Sequence, residues 1–478
     1  MSVALPYESP SYARREPEQT VLHRVFVEYL ETFLDRIGAD TFALPSYVER
    51  ELRAFVECGV LANGFVRIRC GDCGKSRAVA FSCKGRGFCP SCTGRRMADT
   101  SARLVDDVFP PEVPVRQWVL SLPIQIRYRL AHDAKLLSSV LRVFLRVVQG
   151  WYGKQGKALG ITECRGGSVT FAQRFGSALN LNPHFHSLVV DGVFNGKNAN
   201  FHKAQPLRDE DVKEIVETVA HRVVRLLERN GVLDGGGYDE FSEEQPLLSG
   251  ITAASVFSMV ATGDRAGFRV GRVLSDPAEG VRTGNLCYAS RGFSLHAATA
   301  IKAGDKPGLE RLCNYVSRPP LAQGSLKQIS EETYSFKLKT PWSDGTTHLL
   351  LSATELLEKL SALVPPPRVN LVRYHGILAP HAKNRSEVVP KKPDEEELRK
   401  TRGNSKNRIL WAALLARTFG LKMETCPDCG GKMKIIAAVT DPASVKTYLD
   451  GVGLKSEIPK LKPARSPPQM ELDMDYGA

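Results

Sequence analysis

Two cysteine pairs, Cys70-Gly71-Asp72-Cys73 and Cys89-Pro90-Ser91-Cys92, constrain this chain more than any other feature. Each places two thiols on one tight turn, and the glycines at 71, 74, 85 and 87 permit such turns. Two CxxC pairs about fifteen residues apart suit a tetrahedral zinc ion, with a set of buried free thiols as the alternative. Cys83 lies between the pairs and Cys58 upstream, and either can replace a knuckle cysteine, so the ligand set stays open. A third pair, Cys426-Pro427-Asp428-Cys429, is a single zinc-ribbon knuckle with no second pair nearby; its site is either incomplete or shared with an upstream cysteine. The first eighteen residues are polar, and no window approaches the roughly 18 consecutive apolar residues of a membrane span, so a soluble intracellular protein is expected. In a reducing compartment its eleven cysteines are better explained by metal than by disulfides.

Charge points the same way. A net charge of +13 in 478 residues calls for a polyanionic partner, most simply nucleic acid. From Phe65 to Arg103 there are nine basic side chains against Asp72 and Asp99, so more than half of the excess lies beside the cysteines. Arg67, Arg69, Arg77, Lys84, Arg86, Arg95 and Arg96 are therefore the candidate DNA-phosphate contacts, on a surface that the metal organises.

The segment Asn182-Pro183-His184-Phe185-His186 runs into the β-branched stretch Ser187–Asp191 and reads as a strand. Side chains two apart on a strand leave the same face, so His184 and His186 can hold one metal ion together. Ser168–Phe175 reads as a neighbouring strand on which Gln173 is in register with Val169, Phe171 and Phe175. A polar side chain on a buried apolar face needs a partner: completing the metal shell is one solution, a hydrogen bond to backbone the other. Val115–Ser121 is a third strand, and an amphipathic helix is expected from about His132 to Gly150. These elements predict an α+β plan, an antiparallel sheet with helices on one side and the histidines on a central strand.

Further helices are expected over about Val21–Cys58, with a break at Pro45, and over Asp211–Arg229, Leu309–Arg318 and Ala353–Leu363. Gly235–Gly237 reads as a break, Thr333–Lys339 as a strand and Lys383–Arg408 as a charged linker. Pro319-Pro320 stops the helix that carries Tyr315, which has Arg311 at i−4 and Arg318 at i+3. Those arginines can bind a phosphate presented to the phenol; the alternative is a core aromatic packed beside Leu312.

Together Cys83–Cys92, Asn182–His186, Asn314-Tyr315-Val316-Ser317-Arg318-Pro319-Pro320 and Tyr374-His375-Gly376-Ile377-Leu378-Ala379-Pro380-His381 carry a resemblance. The chain resembles the transposases of IS91-like insertion sequences, of the HUH class of single-strand nucleases, from about Val21 to the Cys426 knuckle. The resemblance implies an N-terminal zinc-binding domain (residues 1–108), an HUH nuclease domain (109–322) with an extension (323–380), a charged linker (381–410) and a C-terminal unit (411–478). It implies rolling-circle-type transposition in the bacterial cytoplasm, on single-stranded DNA and the hairpin ends of a mobile element. His184 and His186 take the place of the family's metal ligands and Tyr315 that of its nucleophile. Many members carry a second tyrosine four residues away, whereas this chain has Arg311 and Pro319 there and looks like a single-tyrosine version. An imidazole pair favours zinc or manganese over magnesium, the resemblance implies Mg²⁺ or Mn²⁺, and manganese satisfies both. Three other functions fit part of the pattern: a zinc-dependent DNA-binding regulator, a tyrosine recombinase, and a replication initiator or relaxase.

Overall fold

The computed structural model describes residues 16–38, 43–232, 239–274, 284–322, 324–342, 344–391 and 425–465. The expected glycine break at 235–237 and most of the expected linker, from 392 on, lie outside them. In chain order the elements that matter are α1 (Val21–Gly38), α2 (Ser46–Glu57), β1 (Phe65–Cys70), β2 (Ser76–Ala80), α3 (Pro90–Asp107), β3 (Val115–Ser121), α4 (Ile124–His132) and α5 (Ala134–Ala158). There follow β4 (Gly167–Phe175), β5 (Leu181–Val190), α6 (Asp209–Arg229), α7 (Pro246–Val256), β6 (Gly271–Leu274), β7 (Cys287–Ser290), β8 (Phe293–His296), β9 (Ala300–Ile301) and α8 (Lys306–Val316). The last are β10 (Leu326–Gln328), β11 (Thr333–Lys337), β12 (Thr346–Ser352), α9 (Ala353–Leu363), β13 (Val372–Gly376), β14 (Met433–Val439) and α10 (Pro442–Gly451).

The largest sheet is antiparallel in the order β7-β8-β3-β5-β4-β13, with β9 also paired to β3. The histidine strand β5 is thus central, bonded to β3 and β4. Period-two alternation sorts its residues. Phe185 and Val189 face a core built with Trp118, Leu120 and the apolar stripes of α5 and α6. Leu188 and Val190 face a second core made with Leu104, Val105 and Phe109 of the α3 region and Leu309, Leu312, Cys313 and Val316 of α8. Helices therefore cover both faces of the sheet, not one as the sequence suggests; β4 and β5 are buried on both sides, and each apolar face needs its own cover. Behind the histidines a buried network fixes β3 against β5. Arg116 makes a two-pronged bond to Asp191 (3.0 and 2.9 Å), whose carboxylate also accepts the Tyr152 hydroxyl at 2.8 Å.

A second sheet, β10-β11-β12-β6, packs with α1, α2, α7 and α9 around a core that includes Cys58, Phe88, Cys89 and Cys92. In the third sheet β1 lies between β2 and β14, so the C-terminal unit and the N-terminal region share backbone hydrogen bonds.

Candidate active site

Register places Ser121, Val119 and Gln117 of β3 opposite His184, His186 and Leu188, while Gln173, Phe171 and Val169 of β4 flank the same residues on the other side. The two imidazoles lie close, with His184 Nε2 3.0 Å from His186 Nε2. Two bonds of about 2.1 Å to one ion, meeting at roughly a right angle, separate their nitrogens by about 3 Å, so this spacing suits shared ligation. His184 Nδ1–H donates to the Asn182 carbonyl at 2.7 Å, which leaves the Nε2 lone pair free. His186 Nδ1 is 2.7 Å from the Gln117 side-chain amide. With the amide nitrogen there, His186 carries its proton on Nε2 and donates it to His184; with the amide oxygen there, the proton sits on Nδ1 and Nε2 is freed. Rotation of one amide group thus interconverts a hydrogen-bonded and a metal-ready pair. Burial disfavours the charged form of both rings, pulling His184 down to about 4 and His186 well below the ordinary value, so both are neutral at pH 7.

Gln173, directly opposite His184, donates its amide N–H to the Val316 carbonyl at 2.6 Å, and its Oε1 is buried without a hydrogen-bond partner. The side chain ties the sheet to the last turn of α8 and leaves one oxygen available.

Helix α8 begins at Asp305, whose carboxylate accepts the Gly308 N–H, and ends at Ser317 ahead of the proline pair. Its apolar stripe enters the core, while Tyr315 stays 40% exposed, which excludes the core-aromatic reading. The Tyr315 ring stands edge-on to His186, with centroids 6.0 Å apart. Two cations flank it: Arg318 Cζ lies 4.8 Å and Lys339 Nζ 4.3 Å from the ring centroid. Arg318 Nη1 is buried without a partner. Burial, and secondarily Arg318, lowers the Lys339 pKa. Arg311 is exposed on the same helix, and the cations over the ring are Arg318, one of the two arginines expected beside the phenol, and Lys339.

Beside this cluster a cavity of about 410 Å³ opens between α3, β4, the end of α8 and the segment from Leu363 to Val372. Arg86, Arg96, Arg174, Arg318 and Arg368 line it, with Phe171, Phe175 and Pro319 among its apolar walls. Arg174 is buried, its Nη1 donates to the Ala131 carbonyl, and its Nε has no partner. Desolvation lowers its pKa to about 10, an indication of an arginine with no carboxylate at hand. Of the expected phosphate contacts, Arg86 and Arg96 line this cavity, and Arg96 donates to the carbonyls of Gly85 and Lys84 at 3.1 and 3.3 Å. Arg95 is exposed on α3. Arg67, Arg69 and Arg77 lie apart on β1 and β2.

The cysteines form two tetrads, in each of which all four sulfurs lie within 4.8 Å of one another: Cys58, Cys83, Cys89 and Cys92, and Cys70, Cys73, Cys426 and Cys429. The two knuckles expected to share one ion, Cys70–Cys73 and Cys89–Cys92, thus go to different clusters. Cys58 and Cys83 both join the first, and the C-terminal knuckle is completed from upstream. Cys70 ends β1 and Cys73 sits in the turn before β2, which alone lies between the two pairs in sequence.

Residues 167–386 match the Y2_Tnp transposase family, and residues 25–122 match the zinc-binding domain of IS91 transposases. The chain belongs to the IS91-type transposases. No curated protein and no solved structure matches it. In this transposase the zinc-binding match spans the whole first tetrad and half of the second, and the chain uses zinc structurally. The transposase match spans β4, β5 and α8, and so His184, His186 and Tyr315. No helix among the described residues is long and apolar enough to cross a membrane. Sequence reading did not single out Gln117 or Lys339. Gln117 had a detectable signal, a polar residue in register with the apolar Val115 and Val119; Lys339 had none, since it comes from the segment just past β11.

Proposed function

We propose that this transposase cuts and rejoins single-stranded DNA at the hairpin ends of its mobile element, with Tyr315 as nucleophile. The observation that carries the reading is the edge-on approach of the exposed Tyr315 to the buried His186, residues far apart in sequence. The phenol oxygen attacks the scissile phosphorus as the phosphorus–O3′ bond breaks, leaving a 5′-phosphotyrosine and a 3′-hydroxyl. The phenol loses its proton to solvent, and the leaving oxygen gains one. Bond energy is conserved in the adduct, so attack by a 3′-hydroxyl rejoins the strand and frees the tyrosine. Arg318 and Lys339, close to the ring, offset the charge of a phosphate presented to the phenol.

His184 and His186, with Gln173 Oε1 as the candidate third ligand, would hold a divalent ion, Mn²⁺ or Mg²⁺, that polarises the phosphate and lines it up with the phenol. The lone pairs that the turned Gln117 amide frees, the 3.0 Å spacing and the partnerless oxygen fit such an ion. The arginine-lined cavity supports passage of the strand beside the site: guanidinium groups for phosphates, Phe171 and Phe175 for unpaired bases. The first tetrad is a zinc site that fixes the loop bearing Arg86 and the start of α3.

The test is cleavage of labelled strands from the element's ends with Mn²⁺. The account predicts protein on the 5′ side and loss of cleavage with EDTA; metal-independent cleavage with protein on the 3′ side would point to a tyrosine recombinase, and binding without cleavage to a regulator.

A further inference from the structure

The second tetrad joins the two ends of the chain. Cys70 Sγ lies 3.5 Å from Cys429 Sγ, and Cys73 Sγ 3.6 Å from Cys426 Sγ, close to the roughly 3.8 Å between sulfurs of a tetrahedral site with zinc–sulfur bonds of about 2.3 Å. The two halves are written alike, Cys70-Gly71-Asp72-Cys73-Gly74 and Cys426-Pro427-Asp428-Cys429-Gly430. In each, the glycine after the second cysteine has φ +74°, a left-handed turn that costs glycine little. Gly431 is bare for a different reason, since a Cβ there would meet Cys70 Sγ at 2.9 Å and the Asp72 carboxylate closer still. Lys75 beside the first knuckle pairs with Asp428 in the second at 2.9 Å, and Gly71 N–H donates to the Lys432 carbonyl at 3.1 Å.

We propose that Cys70, Cys73, Cys426 and Cys429 bind a second zinc ion, and that this ion is a clasp holding the C-terminal unit onto the N-terminal domain. The proposal is independent of the nuclease reading. What zinc would lock is a small assembly. From the ion, β14 runs antiparallel along β1, pairing Cys70 with Met433 through Phe65 with Val439. Beyond it Val445, Tyr448 and Leu449 of α10 pack on Leu61 and Phe65, and the Arg67 guanidinium sits 5.0 Å over the Tyr448 ring. The chain then crosses α1, where Lys462 N–H donates to the Val27 carbonyl at 2.9 Å and Arg465 N–H to Thr32 Oγ1 at 3.1 Å. The apolar contacts at the tetrad itself are few, Ile68 and Met433 with Val66 and Val79, and Cys73 and Cys429 are exposed, so metal is the strongest bond available between the two knuckles. On this assignment Arg67, Arg69 and Arg77 stiffen and flank the clasp, and the DNA-facing arginines are those of the cavity.

Native mass spectrometry of the full chain should count two zinc ions, and C426S/C429S should retain one. A protease recognition sequence inserted after Lys400 allows the backbone to be cut in the intact protein. The C-terminal piece should then co-elute with the remainder in gel filtration for the parent protein, and leave it in the C426S/C429S background while the first tetrad keeps its zinc. C70S/C73S, altered from the other side, should release the same piece. A single zinc in the parent protein, two zinc ions in either variant, or a piece that stays attached after its zinc is lost would each overturn the proposal.

Discussion

The cysteine tetrads and the histidine pair are both places where side chains converge on a point, yet they converge differently. Each tetrad supplies four thiols, enough to close a tetrahedral shell, and the first is sunk in the core of α1, α2 and the second sheet. The pair supplies two imidazoles and at most one amide oxygen, on a face that an exposed tyrosine and two cations overlook. A closed shell has no position for substrate and serves architecture; an open one can accept a phosphate oxygen. If the proposed reading holds, ligand count and surroundings separate building from chemistry within one chain, although the sequence presents both as short pairs of residues able to bind metal.

The largest effect that would sharpen this contrast is expected from Tyr315→Phe. It should abolish covalent protein–DNA adducts on denaturing gels while DNA affinity stays within about twofold, because only a hydroxyl is removed. Adducts persisting in that variant would move the nucleophile elsewhere. On the closed side, Cys58→Ser should remove the first zinc and lower Tm by roughly 10 °C, since a broken closed site costs several kcal/mol and a domain of this size loses about 2–4 °C for each; an unchanged melt would make that tetrad a set of free thiols. The double change of His184 and His186 to alanine should reduce cleavage on the order of 10³-fold, the several kcal/mol a Lewis acid supplies, with the zinc count unaltered. Loss of a structural zinc in that variant would erase the distinction drawn above. Gln117→Leu should raise the Mn²⁺ concentration needed for half-maximal cleavage about 10–100-fold, as expected when the group orienting a metal-bound histidine is lost, and leave the rate at saturating Mn²⁺ nearly intact. Lys339→Ala is expected to have the smallest effect, about tenfold in the cleavage rate, in line with about 1–2 kcal/mol for a cation close to an aromatic ring.

Much of the scaffold was legible because its periodicities are long and undisturbed. Val115–Ser121, Ala353–Leu363 and the histidine strand appear where alternation or helical spacing puts them. The hairpin Cys287–His296 escaped notice: its strands have four residues each, and its turn is Arg291-Gly292, both left-handed, a weaker signal than Asn-Gly. Helices on both sheet faces were missed because which face a distant helix covers is a tertiary outcome. At the site, the His184–His186 pair and the end of the Tyr315 helix were readable from local spacing. Their meeting was implied by the resemblance alone, since nothing local links β5 to α8, and Lys339 reaches the ring from the segment just past β11. The cysteine pairs were visible but their partners stayed open: spacing favoured neighbours in sequence, whereas the β1–β2 hairpin carries Cys70 and Cys73 and β14 brings the C-terminal knuckle to Cys70. The repeated Cys-x-Asp-Cys-Gly pattern was the sequence signal that could have matched them.

The most direct test of the central claim is to trap the covalent adduct formed on a single strand from the element's end in Mn²⁺, digest it, and identify the modified residue by mass spectrometry. The account predicts a nucleotide 5′-phosphate on Tyr315, formed with Mn²⁺ and absent with EDTA. A nucleotide on any other residue, or an adduct that forms equally well in EDTA, would contradict it.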